Sequence, residues 1–481
     1  MIPMDKTAAA APAAGPREAC GVFGISRHRE AAKLAYFGLY ALQHRGQESA
    51  GIAVSRNKSI DCHKGMGLVP EVFDTESLEW LDGDYSAIGH VRYSTTGDSV
   101  PVNAQPFVVT HKGKSYGVAH NGNLVNAHLL KRELEEAGAI FQTTMDSEIF
   151  LHLFVRNLGC GFEEALARAV RRMKGAYSMV FLTSGGALVG IKDPNGFRPL
   201  CLGRMTDGAY VFASETCALD LVEAECLREL DPGEIVIIDA SGIRSLRPHQ
   251  QVRRTCCIFE YIYFARPDST IFGKNVYQMR KEHGRQLARE APADADLVMP
   301  FPDSGIYAAL GYAEESGIPF DLAMIRNHYV GRTFIQPSQT MRDFGVRMKL
   351  NPVKELLVGK DIILIEDSII RGTTARTRIQ TLRELGVRRI HMRISCPPHK
   401  YPCHYGIDFS TSGELIAARK TLEELRAYLD LDSLHYLSLQ GLLGAMAVPD
   451  PENNFCKACF DGAYPVEFDE NVGKMCLASV Q

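Results

Sequence analysis

Small and apolar residues alternate in Cys20-Gly-Val-Phe-Gly-Ile as in a strand, and apolar positions recur at helical spacing from Ala31 to Leu42 before the polar run QHRGQES. Further strand-like runs lie at Ser86–Val91, Tyr116–Ala119 and Gly175–Leu182, separated by polar turns with paired glycines. This half predicts stacked sheets with helices outside, an α+β arrangement. From about Leu297 the pattern changes. Apolar runs at Leu297–Pro300, Ile362–Ile365 and Ile390–Ile394 alternate with helical stretches at Tyr307–Ser316 and Thr374–Leu385, which predicts βαβ units around a parallel sheet, an α/β arrangement. The change of style places a boundary near Arg254. No repeat at solenoid periods is evident, and no low-complexity segment beyond the first residues.

The 481 residues leave room for two or three domains at roughly 100 to 200 residues each. Apolar residues make up 46% and charged residues 23%, which excludes wholesale disorder and a fibrous repeat. Lys plus Arg is 53 and Asp plus Glu 57, so no basic excess exists to hold nucleic acid. No stretch approaches the roughly 20 apolar residues of a membrane span, so no membrane partner is expected. The opening MIPMDKTAAAAPAAGPREA is rich in Ala and Pro but lacks a Leu/Val-rich centre and ends in charged Arg17 and Glu18, unlike a secretion signal. Thirteen cysteines are too dilute for a disulfide scaffold, and a reducing, cytoplasmic setting is expected. Some of them should then be nucleophiles, metal ligands or plain core.

The small-residue strand start after Cys20 predicts a thiol at the edge of a sheet with little around it. Cleavage after Ala19 would give Cys20 a free α-amine, whose pKa near ~8 suits it as the thiol's general base. Read alone, Cys-Gly favours a core cysteine behind a disordered leader. The chain also holds His90-Val-Arg-Tyr-Ser-Thr, His120-Asn-Gly-Asn-Leu and Thr144-Met-Asp-Ser-Glu, in that order. With Cys20 these resemble the class II glutamine amidotransferases, whose glutaminase domain is an N-terminal-nucleophile hydrolase αββα sandwich. The resemblance implies Cys20 as the nucleophile on the glutamine amide, and Asn121 and Gly122 as oxyanion donors. It implies that Arg92 holds the substrate α-carboxylate and Asp146 its α-amine, pairings that suit a guanidinium and a carboxylate. Since removal of Met1 alone cannot expose Cys20, residues 1–19 are expected to be a propeptide.

Ile362-Ile-Leu-Ile-Glu-Asp-Ser-Ile-Ile-Arg-Gly-Thr-Thr reads as a strand, two acids, a short loop and a helix start. Such a unit presents backbone N–H groups to a phosphate and acids to ribose hydroxyls, although strand, acids and polar loop also occur together for purely structural reasons. The full string resembles the signature of type I phosphoribosyltransferases, which bind phosphoribosyl pyrophosphate (PRPP) on an α/β domain with a central parallel sheet. The resemblance implies PRPP contacts from Glu366, Asp367, Ser368, Arg371, Gly372, Thr373 and Thr374. It adds Asp303 and Ser304 in a pyrophosphate loop, and Arg332 and Lys349 on a flexible loop that closes over the substrate. It also implies one Mg2+ per subunit, near Ser304 and held by Glu366 and Asp367, as suits a hard cation bridging phosphates and carboxylates. Glu366 stands where relatives often carry Asp, which leaves direct or water-mediated coordination open.

Asp193-Pro-Asn-Gly-Phe-Arg-Pro-Leu and Cys257-Ile-Phe-Glu-Tyr-Ile-Tyr-Phe-Ala-Arg-Pro-Asp-Ser narrow the resemblance, from Cys20 to about Pro465, to the amidophosphoribosyltransferases. That resemblance implies glutamine and PRPP as substrates, the first committed step of purine synthesis, and ammonia passing between the sites through a water-poor channel. It implies PRPP-activated glutamine hydrolysis, purine nucleotides as feedback inhibitors and a homotetramer or homodimer. The expected division is a propeptide 1–19, a glutaminase domain 20–253, a phosphoribosyltransferase domain with cluster-binding segment 254–465, and a tail 466–481.

Cys456-Lys-Ala-Cys459 alone is compatible with zinc, an iron–sulfur cluster, a redox pair or nothing. One subfamily places such a pair with a cysteine before FEY-type sequence and another before YGID, as Cys257 and Cys403 stand here. The resemblance therefore implies one [4Fe-4S] cluster per subunit on Cys257, Cys403, Cys456 and Cys459, although sulfur ligands alone would allow zinc. Cys62, Cys160, Cys201, Cys217, Cys226 and Cys476 read as structural. Two other readings fit less of the sequence: a glutaminase serving another acceptor, as in glucosamine-phosphate or asparagine synthetases, which EDSIIRGTT disfavours, and a PRPP-sensing regulatory module, which would need a basic helix-turn-helix in front.

Overall fold

The structure, a computed structural model, describes residues 20–56, 58–83, 85–93, 100–250, 252–327, 350–407 and 412–468. The expected propeptide 1–19, the loop residues Arg332 and Lys349, and Cys476 lie outside the described residues. Among the described residues every cysteine is a free thiol and no helix is long and apolar enough to cross a membrane.

Thirteen strands precede residue 250: β1 (Gly21–His28), β2 (Ser49–Arg56), β3 (Ser59–Met66), β4 (Tyr85–Arg92), β5 (Phe107–His111), β6 (Lys114–Leu124), β7 (Gly175–Thr183), β8 (Leu188–Lys192), β9 (Cys201–Arg204), β10 (Tyr210–Ala213), β11 (Glu225–Glu229), β12 (Ile235–Asp239) and β13 (Gly242–Leu246). They form a seven-stranded sheet, β11-β9-β10-β1-β4-β2-β3, and a six-stranded sheet, β13-β12-β8-β7-β6-β5. The period of two sorts their side chains between layers. In β1, Val22 enters the layer between the sheets while Phe23 and Ile25 turn outward. In β7, Val180 and Leu182 face that inner layer while Met179 and Phe181 face the opposite way. Ala32, Ala35 and Leu39 of the helix Ala31–Ala41 cover one outer face, and the helices Ser147–Asn157 and Phe162–Arg172 cover the other. The result is the four-layer αββα sandwich of the N-terminal-nucleophile hydrolases.

Beyond residue 250, β14 (Cys256–Cys257) leads through a π-helical turn, Glu260–Phe264, to the short hairpin β15 (Thr270–Ile271) and β16 (Lys274–Asn275). Then follow β17 (Leu297–Pro300), the antiparallel pair β18 (Met324–Arg326) and β19 (Leu350–Pro352), β20 (Asp361–Glu366), β21 (Arg389–Ile394), β22 (Ser433–Tyr436) and β23 (Phe455–Cys456). A four-stranded sheet in the order β17-β20-β21-β22 is parallel throughout. Ile362 to Ile365 are fully buried, as a parallel strand covered on both faces must be, and the helices Val276–Glu290, Ile306–Ser316 and Thr373–Leu385 pack around the sheet. β23 returns to pair in parallel with β14, which places Cys456 opposite Cys257.

Candidate active site

Cys20 lies just before β1, and β1 sits between β10 and β4 in the interior of its sheet. The expectation of a thinly surrounded thiol at a sheet edge is therefore corrected: Cys20 is 5% exposed, at the start of an interior strand and against the Tyr93 carbonyl and the buried Arg45 side chain. Its thiol donates to the Tyr93 carbonyl at 3.4 Å, and Arg45 Nε donates to the Cys20 carbonyl at 3.0 Å. Burial pushes the thiol up from its ordinary value, against the Tyr93 hydrogen bond and the nearby Arg92 cation. A thiol so placed needs a base.

The other expected residues gather at the ends of β4 and β6. His90 Nε2 donates to the His120 carbonyl at 3.0 Å, tying β4 of one sheet to β6 of the other. Arg92 is buried and faces Glu48 at 3.1 Å. Asp146 accepts from His120 Nδ1 at 3.3 Å and from the Leu124 N–H at 2.9 Å. Asn121 is 1% exposed, yet neither its Nδ2 nor its Oδ1 has a hydrogen-bond partner. Buried polar groups are nearly always paired, so an orphaned amide marks a place where something else binds. Next to it Gly122 has φ +146°, and a Cβ there would stand 2.0 Å from the Ala176 carbonyl oxygen.

At the carboxyl ends of β17 and β20 lies a cavity of about 480 Å³. Asp303, Ser304, Glu366, Asp367, Ser368, Arg371, Gly372, Thr373 and Thr374 all line it. Glu366 and Asp367 fit a divalent cation. Burial and then the Asp367 carboxylate push Glu366 well above its ordinary value, with Arg378 at 3.7 Å opposing. Burial raises Asp367 too, against hydrogen bonds from Ser304 and Ser368. Adjacent buried carboxylates repel, and a hard cation relieves that repulsion. Asp303 pairs with Arg326. Sequence reasoning missed Arg266, Arg280, Arg326 and Arg378, which join Arg371 in an arginine-rich lining suited to a polyanion. Arg280 is 5% exposed and donates to the carbonyls of Tyr261, Tyr263 and Ala265. The lining also includes His44 and Gln47, from the polar run after the first helix, whose abrupt change from apolar to polar was the available signal.

Between the two sites lies a buried charge network. Arg45 Nη1 reaches Glu215 at 2.5 Å and Arg45 Nη2 reaches Glu260 at 2.7 Å, while Arg198 reaches Glu260 at 2.9 Å. Two guanidinium groups thus face two carboxylates. His44 lies 2.7 Å from Glu215, which also accepts from the Ser269 hydroxyl at 2.7 Å. Burial would raise the Glu215 carboxyl, but His44 and Arg45 hold it far below the usual range. Asn123 donates to the His404 carbonyl at 2.8 Å, and a Cβ on Gly406 would stand 3.0 Å from the Gly122 carbonyl carbon.

Cys257, Cys403, Cys456 and Cys459 line one small cavity with Arg198, Tyr405 and Tyr464. Burial pushes Cys257 up to about 12 and also raises Cys456 and Cys459 well above their ordinary value, with the neighbouring thiols adding to each rise. Among the described residues no three Cys, His, Asp or Glu side chains converge tightly enough for one metal ion. Four thiols lining one buried cavity are a donor set that suits a thiolate-held metal centre, either an iron–sulfur cluster or zinc.

An αββα sandwich with a buried thiol, joined to a parallel-sheet domain with an arginine-lined cavity, is the architecture of a glutamine-dependent transferase. The sequence pattern of glutamine amidotransferase domains matches residues 90–221. Amidophosphoribosyltransferase 2, chloroplastic, of Arabidopsis thaliana is 50% identical over 459 residues, which are 95% of this chain and 81% of the relative. Amidophosphoribosyltransferase of Staphylococcus epidermidis is 46% identical over 465 residues, 96% of this chain and 94% of the relative. The solved glutamine PRPP amidotransferase of B. subtilis, complexed with ADP and GMP, superposes with TM-score 0.89 at 47% identity, covering 94% of this chain and 99% of that one. The chain belongs to the amidophosphoribosyltransferase family.

Proposed function

We propose that the chain converts glutamine, PRPP and water into 5-phosphoribosylamine, pyrophosphate and glutamate, opening purine synthesis, with residues 20–253 as glutaminase and 254–465 as phosphoribosyltransferase. The observation that carries this reading is the junction of the two sites: His44 and Gln47 line the phosphate cavity, while Arg45 between them holds the Cys20 carbonyl.

Removal of residues 1–19 frees the Cys20 amine, which takes the thiol proton as sulfur attacks the glutamine amide carbon. Asn121 Nδ2 and the Gly122 N–H hold the oxyanion, a use that explains the unpartnered amide. Collapse of the tetrahedral intermediate expels ammonia with the proton carried by the amine, and water then cleaves the thioester to glutamate. Arg92 exchanges Glu48 for the substrate α-carboxylate, and Asp146 holds the α-amine. Ammonia crosses at the His44–Gln47 wall and attacks the anomeric carbon as pyrophosphate leaves. Ser368, Arg371, Gly372, Thr373 and Thr374 hold the ribose 5-phosphate side, and Asp303 and Ser304 hold the pyrophosphate side, with Arg332 and Lys349 covering it. Mg2+ held by Glu366 and Asp367 near Ser304 would neutralise the leaving group. Catalysis there is positioning and electrostatics, with no protein nucleophile.

Cys257, Cys403, Cys456 and Cys459 would hold a [4Fe-4S] cluster that fastens the returning β23 segment to β14, and a reducing cytoplasmic setting suits it. Feedback by purine nucleotides and a homodimer or homotetramer follow from the resemblance. The test is release of glutamate from glutamine by anaerobically purified protein, with and without PRPP and Mg2+, with pyrophosphate titrated in the same samples. Both products rising together only with PRPP support the coupled transferase; glutamate without pyrophosphate would overturn it in favour of another acceptor.

A further inference from the structure

Arg198 comes from the Asp193-Pro-Asn-Gly-Phe-Arg-Pro-Leu segment, for which the reaction above finds no use. It is 1% exposed. Its Nη1 donates to Glu260 at 2.9 Å and its Nη2 to the Tyr405 carbonyl at 3.1 Å, but its Nε–H has no acceptor. The same side chain lines the cavity of the four cysteines. A buried N–H is rarely left unpaired, so this one points to an acceptor that the described protein atoms do not supply. Sulfur of a thiolate-held cluster is such an acceptor, and four thiolates leave that group net negative inside a buried pocket.

We propose that Arg198 donates its Nε–H to the sulfur shell of the cluster, an inference that rests on the iron–sulfur reading above. Glu260 and the Tyr405 carbonyl hold the two Nη groups, which fixes the guanidinium at the cavity wall and leaves Nε as its unpaired donor. Hydrogen bonds to sulfur and a nearby positive charge stabilise the more reduced cluster and slow its oxidative loss. The arrangement also ties the cluster to the glutaminase, because Glu260 binds Arg45, and Arg45 binds the Cys20 carbonyl.

The experiment compares anaerobic wild-type protein with Arg198→Met and Arg198→Lys. Iron and acid-labile sulfide are counted first, and then the rate at which the cluster's visible absorption bleaches under a fixed oxygen concentration is measured. The methionine variant should bleach several-fold faster than wild type or retain less iron. The lysine variant keeps the charge toward Glu260 but lacks the fork, and should fall between the two. Should the methionine variant fail to fold, the lysine variant decides alone. Bleaching of the folded variants at the wild-type rate, with full iron, would overturn the role of Arg198. Wild-type protein carrying zinc or no iron is a separate outcome, which overturns the cluster reading and this inference with it.

Discussion

Replacing Asn121 with leucine, nearly the same shape without polar atoms, separates an amide kept for catalysis from one kept for packing. Both amide atoms are buried and unpartnered. Each such group costs the free fold ~1–3 kcal/mol, so removing two should return ~2–6 kcal/mol. An imperfect apolar fit takes back ~1–3 kcal/mol. The net expectation is a gain centred on ~2 kcal/mol, within bounds of about −1 to +5 kcal/mol, read as a higher thermal midpoint at about 2–4 °C per kcal/mol for a domain of this size. At the same time, losing one oxyanion donor should lower the turnover of PRPP-activated glutamate release about 10²–10³-fold, equivalent to ~3–4 kcal/mol. Amination of PRPP with ammonium salt in place of glutamine should stay within about twofold, because Asn121 is absent from the phosphate cavity lining. Thermal unfolding followed by circular dichroism, with the two product assays beside it, reads all three quantities. A lower midpoint together with near-normal glutamate release would mean that Asn121 is a structural amide, and the oxyanion assignment would fall.

Glu366→Gln should raise the thermal midpoint at pH 8 but not at pH 4. The folded carboxyl is raised by burial and by Asp367, so stability is full below the ordinary carboxylate range, falls as pH climbs from there to the raised value, and stays lost above it. The same variant should weaken Mg2+-dependent PRPP binding, and an equal stability change at both pH values would count against the reasoning. Gly406→Ala adds a Cβ at 3.0 Å from the Gly122 backbone at φ +99°, so it should cut glutamine-dependent synthesis at least about tenfold while ammonia-dependent synthesis persists. Unchanged glutamine use would show that Gly122 does not depend on this contact. Glu215→Gln leaves the buried guanidiniums of Arg45 and Arg198 sharing the single Glu260 carboxylate, and should destabilise the protein by ~3–5 kcal/mol and weaken PRPP activation of glutaminase. Denaturant unfolding and the ratio of glutamate release with and without PRPP check both.

Local pattern was legible where its cause is local. The run Ile362–Ile365 appears as β20 and the alternation after Cys20 as β1, since strand and helix periodicities depend on residues only a few positions apart. The acids and loop after β20 were legible too, because a strand end, a turn and a helix start are contiguous in the chain. Nothing local, however, marks Cys20 as interior to a seven-stranded sheet, because β10, which covers one side of β1, lies nearly two hundred residues away. Arg280 and Arg198 look like ordinary surface arginines in sequence, and only their burial against distant carbonyls and Glu260 reveals them. The meeting of Gly406 with Gly122, of His44 with the phosphate cavity, and of β14 with β23 joins segments that chain connectivity leaves free to lie anywhere. The amino-acid order by itself determined which chemistries this chain carries. Packing of distant segments decided that they share one buried, charge-balanced junction, since burial and pairing energies belong to neighbours in space and not in sequence.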